Sequence, residues 1–235
     1  MNKTTIISTL IIVLVGCSSQ NSTIQVKQKQ SSPENLLDKA ALSVEINQPQ
    51  LAMDHYIAPL IKHCTTELNI ENTKVFSART DNERKYYKDF SLNNNLDVKI
   101  IDGICSNTYF FASYAQSDLN NIKAAESYIL KGLDISPVNS KLLSELGHVY
   151  QIQKKWDKSI SYFEKAQEYS SLYSPQSTAK QEQSRAMRGI GFSLIEMGQL
   201  EKAKDKFNKA LTFNPLDTQA KQELQYIEQL ITKNK

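Results

Sequence analysis

LLSELGHVYQIQKKWDKSISYFEKA at 142–166 and MRGIGFSLIEMGQLEKAKDKFNKA at 187–210 carry one pattern twice. In the first, Leu146-Gly147 is followed by Tyr150, Trp156, Phe163 and Ala166; in the second, Ile190-Gly191 is followed by Leu194, Leu200, Ala203, Phe207, Ala210 and Pro215. Apolar residues three and four apart lie on one face of a helix. Each stretch therefore reads as two amphipathic helices in a hairpin. Small residues at Gly147 and Gly191 on the first helix, and at Ala166, Ala203 and Ala210 on the second, let the two helices approach closely. A hairpin of this size cannot bury its apolar face alone, and self-similarity at a fixed period points to stacking.

These positions resemble the tetratricopeptide repeat (TPR), whose W-x2-L-G-x2-Y, A-x3-F and P slots recur every 34 residues. Counting back from Pro215 starts one repeat at Ser184, with Met187 in the Trp slot. Another starts at Ser140, with Leu143, Leu146-Gly147, Tyr150, Ser159, Phe163 and Ala166, and has Ser171 where the Pro would stand. Counting back from Pro137 starts a degenerate repeat at Ser106, with Tyr109, Ala112-Ser113, Ala125, Ile129 and Gly132 in the slots. The repeats are thus 106–139, 140–173 and 184–217, with a ten-residue insertion around 171–183. Ser174-Pro175-Gln176-Ser177 reads as a turn that extends the next helix backward through Gln181. Leu216 to Ile231 is helical by periodicity, with a polar back suited to closing the end of the stack over 216–232. The expected fold is an all-α TPR-like solenoid with degenerate N-terminal helical hairpins and a C-terminal capping helix.

Residues 33–105 read as the degenerate helical region. Ser32-Pro33 opens a helix with Leu36, Leu37, Ala40, Ala41 and Val44 at helical spacing. A second carries Leu51, Met53, Tyr56, Ile57 and Leu60, broken or kinked at Pro59. Thr80-x-x-Glu83 is a candidate capping box before a helix ended by Asn93-Asn94-Asn95. Val98 to Ile101 reads as a loop or as the lead-in to the next helix.

Met1-Asn2-Lys3 and the apolar run from Thr4 to Val15 have the form of a signal peptide, too short to span a bilayer. Leu14-Val15-Gly16-Cys17 resembles the lipobox of bacterial lipoproteins. That resemblance implies cleavage of residues 1–16, lipidation of Cys17 and membrane anchoring by the attached chains. Ser18, in place of an Asp, favours the outer membrane. Residues 17–32, rich in Ser and Gln, read as a flexible tether, on the order of 50 Å long if extended at about 3.3 Å per residue. Lipidation consumes Cys17 and leaves Cys64 and Cys105, an even pair in a compartment that permits disulfides; two buried free thiols are the alternative.

The chain has 28 Lys and Arg against 25 Asp and Glu, a formal net charge of +3. The basic residues are scattered, so no nucleic-acid partner is expected. His55, His63 and His148 fall in no metal-ligand spacing, and no phosphate loop, nucleophile elbow or zinc motif is present. No cofactor, no small-molecule substrate and no enzymatic activity are expected. The resemblance implies a protein partner bound on the concave face, lined by positions 2, 5, 9, 12 and 13 of each first helix. The candidate groove residues are Phe110, Tyr114, Lys141, His148, Arg185, Arg188 and Phe192, with Asn107, Ser117, Asp118, Ser144, Gln151, Ile152, Ile195 and Glu196 at the other groove positions. Aromatic residues with Arg are the mix enriched at binding hot spots. Some TPR domains clamp a peptide's terminal carboxylate through Lys and Asn; those slots hold Phe110, Tyr114 and His148 here, so that clamp is not supported. The expected role is a membrane-anchored scaffold or adaptor of the bacterial envelope. A structural spacer without a ligand, and a hydrolase or metal-dependent enzyme with its site in residues 65–100, around Arg79, Asp81, Glu83 and Arg84, are the other classes.

Overall fold

Every second helix of the stack meets its partner through a glycine. A Cβ on Gly147 would stand 2.9 Å from the Phe163 ring, and one on Gly191 would stand 2.7 Å from Phe207. Each ring occupies the space that the missing side chain leaves, so the helices close at distances that a larger residue forbids. Gly189 admits Phe163 from the preceding repeat, where an added Cβ would approach the ring to 2.3 Å. One aromatic ring thus seals both its own hairpin and the boundary with the next.

The computed structural model describes residues 31–233. The signal peptide, Cys17 and all but the last two residues of the tether lie outside the described residues. The first repeat is the hairpin α5 (Ile104–Asp118) and α6 (Ile122–Ile135). The second is α7 (Ser140–Ile152) and α8 (Trp156–Tyr173), and the third is α9 (Ala179–Glu196) and α10 (Leu200–Phe213). The turn in each hairpin has a left-handed residue at the same repeat position: Asn120, Lys154 and Gly198. α11 (Thr218–Lys233) closes the stack, burying Ala220 and Ile227. Asp217 accepts from Ala220 N at 3.1 Å, capping α11 as Asn139 caps α7 through Lys141 N and Leu142 N.

Before the stack lies α1 (Pro33–Glu45), capped by Ser32, whose hydroxyl accepts from Asn35 N at 3.3 Å. α2 (Pro49–Leu51) passes through a π-helical turn (Ala52–Ile57) into α3 (Ala58–Leu68). Pro59 has no N–H to donate, so the widened turn just before it is where the helix absorbs the lost bond. Cys64 and Cys105 are joined, with Cα atoms 5.5 Å apart, tying α3 to α5.

The stretch 74–101 departs from the all-helical expectation for the region before the repeats. β1 (Lys74–Ser77) pairs in parallel with β2 (Val98–Ile101), Lys74 opposite Val98, and α4 (Asp81–Asn94) makes the crossover. Val98 to Ile101 is therefore a strand, not a loop or helix lead-in. Four-residue strands have too little length for a periodic signal, and their partner lies 24 residues away. The capping box is also half formed. Thr80 Oγ1 accepts from Glu83 N at 3.1 Å, but the Glu83 carboxylate turns to Arg79, accepting from its N at 2.5 Å and from Nε at 3.1 Å.

This β–α–β unit packs against the second repeat. Phe76 stacks on Tyr87 at 4.6 Å, Tyr86 meets Tyr173 edge-on at 5.3 Å, and Thr80 Oγ1 donates to Tyr173 O. The ten-residue insertion supplies the surface that receives it: α8 runs on to Tyr173 and α9 begins early, at Ala179. Glu182 is the hub. Arg79 reaches it at 3.1 Å, Thr178 at 2.9 Å and Ser174 at 2.5 Å, and Ser140 also donates to it. Burial pushes the Glu182 carboxyl up; Arg79 and the three hydroxyls outweigh that and hold it below the ordinary range. Glu83, with less compensation for its burial, is pushed upward.

Candidate functional site

The first helices of the repeats, α5, α7 and α9, together with α11, line a groove of about 770 Å³. Five of the seven expected groove residues line it: Tyr114, His148, Arg185, Arg188 and Phe192. Gln151, Ile152 and Glu196 join them. Their apolar contribution is open to solvent, with Phe192 38% and Ile152 39% exposed. Trp156, from the start of α8, lines the same wall. An exposed aromatic beside an exposed aliphatic, rimmed by polar side chains, has the composition of a docking surface.

Phe110 and Lys141 are placed elsewhere. Phe110 is 4% exposed and packs with Leu142 and Leu146 in the core. Its ring carries two cations: Lys141 Nζ at 4.1 Å and the Arg185 guanidinium at 5.6 Å. Lys141 also lies 4.7 Å from Phe111 and lines a separate cavity with Arg79, Asn107 and Glu182. Burial, reinforced by the charges of Arg79 and Arg185, lowers its ammonium to about 8. Repeat position 2 on α7 therefore faces the β–α–β unit, because that unit and the 174–178 turn cover this end of the concave side.

The two arginines of the groove are already engaged. Arg185 donates to Glu145 Oε2 at 2.7 Å, and the Glu145 side chain is 0% exposed. Arg188 Nε lies 2.8 Å from Asp217 Oδ2, off the line of a donated hydrogen bond, and a terminal nitrogen donates to Gln219. Gln151 spans to the neighbouring repeat, donating to Gly189 O at 2.8 Å and Ser193 Oγ at 3.0 Å. Burial raises the Tyr114 hydroxyl and Asp118 carboxyl above their ordinary values, and Glu145 adds to both shifts. The sequence pattern found most of the aromatic and basic residues; it missed Trp156 in the wall, and Glu145 and Asp217, which pair with the two arginines. Glu145 sits one position after a groove slot, so slot counting passes over it.

The other candidate chemistry resolves into structure. Arg79 and Glu83 form the buried link to the insertion, and Arg84 donates to Ile100 O at 3.3 Å. Cys64 and Cys105 are bonded to each other and are not two buried free thiols. Among the described residues, no group of three or more His, Cys, Asp and Glu is placed to hold a metal ion, and no helix is long and apolar enough to cross a membrane.

Comparison with known proteins places the fold. Two family models described as tetratricopeptide repeat match, one over residues 139–214 and one over 106–139. PilF of Pseudomonas aeruginosa superposes with a TM-score of 0.56 at 14% identity, over 86% of this chain and 69% of that one. The first TPR of Spaghetti (RPAP3), bound to the HSP90 peptide SRMEEVD, gives 0.45 at 20% identity over 55% and 94%. MamA gives 0.46 at 19% over 78% and 74%. Among curated proteins, none matches the sequence. Stacked helical hairpins, left-handed residues one repeat apart and matching family models give one conclusion: residues 106–214 are tetratricopeptide repeats, in an all-α TPR solenoid.

Proposed function

We propose that this chain is a lipid-anchored scaffold or adaptor of the bacterial envelope, which recruits a protein partner through the concave groove and carries out no catalysis. The observation that carries the docking role is the open apolar wall of Ile152 on α7, Trp156 at the start of α8 and Phe192 on α9, rimmed by polar side chains. The anchoring part rests on the sequence. The short positive start, the apolar run and Leu14-Val15-Gly16-Cys17 support cleavage after residue 16 and lipidation of Cys17, and Ser18 supports the outer membrane, facing the periplasm. A buried Cys64–Cys105 bond is in keeping with an oxidising compartment.

Mild crosslinking in membranes, followed by purification of the chain and mass spectrometry, tests the docking role. Phe192→Ala with Ile152→Ala is expected to remove specific partners that the unchanged chain retains. An unchanged partner list sinks the groove reading and leaves a ligand-free spacer. Cys17→Ala is expected to move the chain from the membrane to the soluble fraction; continued membrane association of that variant removes the lipid anchor.

A further inference from the structure

The groove carries more acid than base, and one of its carboxylates is half unused. Asp118, Glu145, Glu196, Asp217 and Glu223 line or underlie it, against Lys154, Arg185 and Arg188. Two of those three cations are spent on Glu145 and Asp217. Glu145 is fully buried on α7, and while Oε2 holds Arg185, Oε1 has no hydrogen-bond partner. A buried carboxylate oxygen without a donor has lost its hydration and gained nothing in exchange. Asp118, exposed at the end of α5, lies close enough for the two carboxylates to feel each other, and His148 and Tyr114 stand beside them. The wall of Ile152, Trp156 and Phe192 continues from this corner along the same groove.

We infer that the partner segment bound in the groove is cationic and apolar, presenting a lysine or arginine side chain to Asp118 and Glu145 and an aliphatic or aromatic side chain to Ile152, Trp156 and Phe192. This rests on the docking role proposed above and names its chemistry. The incoming cation neutralises Asp118 at the surface and, through space, the buried Glu145 carboxylate whose Oε1 no donor reaches. The apolar side chain covers the surface that solvent now wets. An acidic segment meets the opposite situation: both arginines are occupied, and Glu196 and Glu223 line its path. Charge complementarity of this kind sets partner choice and association rate more than it sets total affinity.

Three fluorescein-labelled nonapeptides with a common Ala-Leu-Phe-Leu-Ala centre, flanked by Lys, Gln or Glu pairs, test this by anisotropy on the full chain. The Lys peptide is expected to bind at least about tenfold tighter than the Glu peptide, with a preference that falls as salt rises. Asp118→Asn is expected to shrink the preference several-fold while circular dichroism stays unchanged. Glu145→Gln is expected to shrink it further; because that change also touches Arg185, the exposed Asp118 variant decides the matter if Glu145→Gln unfolds. Equal binding of the three peptides, all lost in Phe192→Ala, overturns the cation subsite and leaves groove docking standing. Tighter binding of the Glu peptide, no binding of the Lys peptide at millimolar concentration, or a preference untouched by Asp118→Asn also overturns it. The crosslinking comparison decides the docking role separately.

Discussion

Lys141 stands at the second position of its repeat, where a groove-facing side chain is expected, yet its ammonium lies over Phe110 and Phe111 at 4.1 and 4.7 Å. Burial disfavours its charged form and lowers it from 10.5 to about 8. Between those values the unfolded chain holds a proton that the folded chain lacks, so stability rises with pH there. Below pH 8 the full cost of burying the charge is present, offset in part by the two aromatic faces. Lys141→Met is therefore expected to be more stable than the unchanged chain at pH 7, by roughly 1 kcal/mol after that offset. The gap should close as pH rises toward 10.5. Urea denaturation of both proteins at pH 7 and pH 10 checks this; a gap of constant size would show that the charge is not its cause. Gly189 illustrates the same dependence on neighbours: nothing in the repeat slots reserves it, but the Phe163 ring fills its Cβ position.

The helical hairpin is the element that the sequence encodes most openly. Each hairpin turn needs one residue at positive φ, and Asn120, Lys154 and Gly198 fill that place. Asn and Gly adopt the left-handed region readily, whereas Lys at φ 57° does so at a cost. Lys154→Gly is expected to raise stability by roughly 0.5–1 kcal/mol, the relief of strain exceeding the added entropy of the unfolded chain. Thermal unfolding by circular dichroism measures it, and a lowered midpoint would mean that the Lys154 side chain holds the turn by other contacts. The same reading fails for β1 and β2. Their four residues each carry no usable period, and their pairing depends on a parallel crossover through α4. The insertion was legible as extra length and as a turn at Pro175. That it lengthens α8 and offers Tyr173 and Glu182 to α4 was not, because those partners lie about 90–100 residues apart.

At the scale of the molecule, two long-range ties turn a row of hairpins into one body. The Arg79–Glu182 pair and the Tyr86–Tyr173 contact join the β–α–β unit to the second repeat. The Cys64–Cys105 bond joins the N-terminal helices to the first. The bond closes a sequence separation of 41, and removing such a cross-link costs about 2–4 kcal/mol. Cys64→Ala with Cys105→Ala is expected to lower stability by that amount and to speed amide exchange in α1 and α3 more than in α10 and α11. A uniform change across the chain would instead mean that the N-terminal helices and the repeats unfold as one unit.

Apolar spacing, the two Leu/Ile-Gly pairs and the helix-stopping prolines determined the hairpins and their stacking, since these are local preferences that each segment expresses by itself. They also pointed to most of the groove: Tyr114, His148, Arg185, Arg188 and Phe192 follow from helix periodicity once the repeat starts are known. Only the tertiary structure decided that Phe110 is core, that Lys141 faces another cavity and that the arginines are neutralised by Glu145 and Asp217. A side chain's charge partner, and the solvent left to it, depend on which distant segment packs beside it, and sequence periodicity holds no information on that.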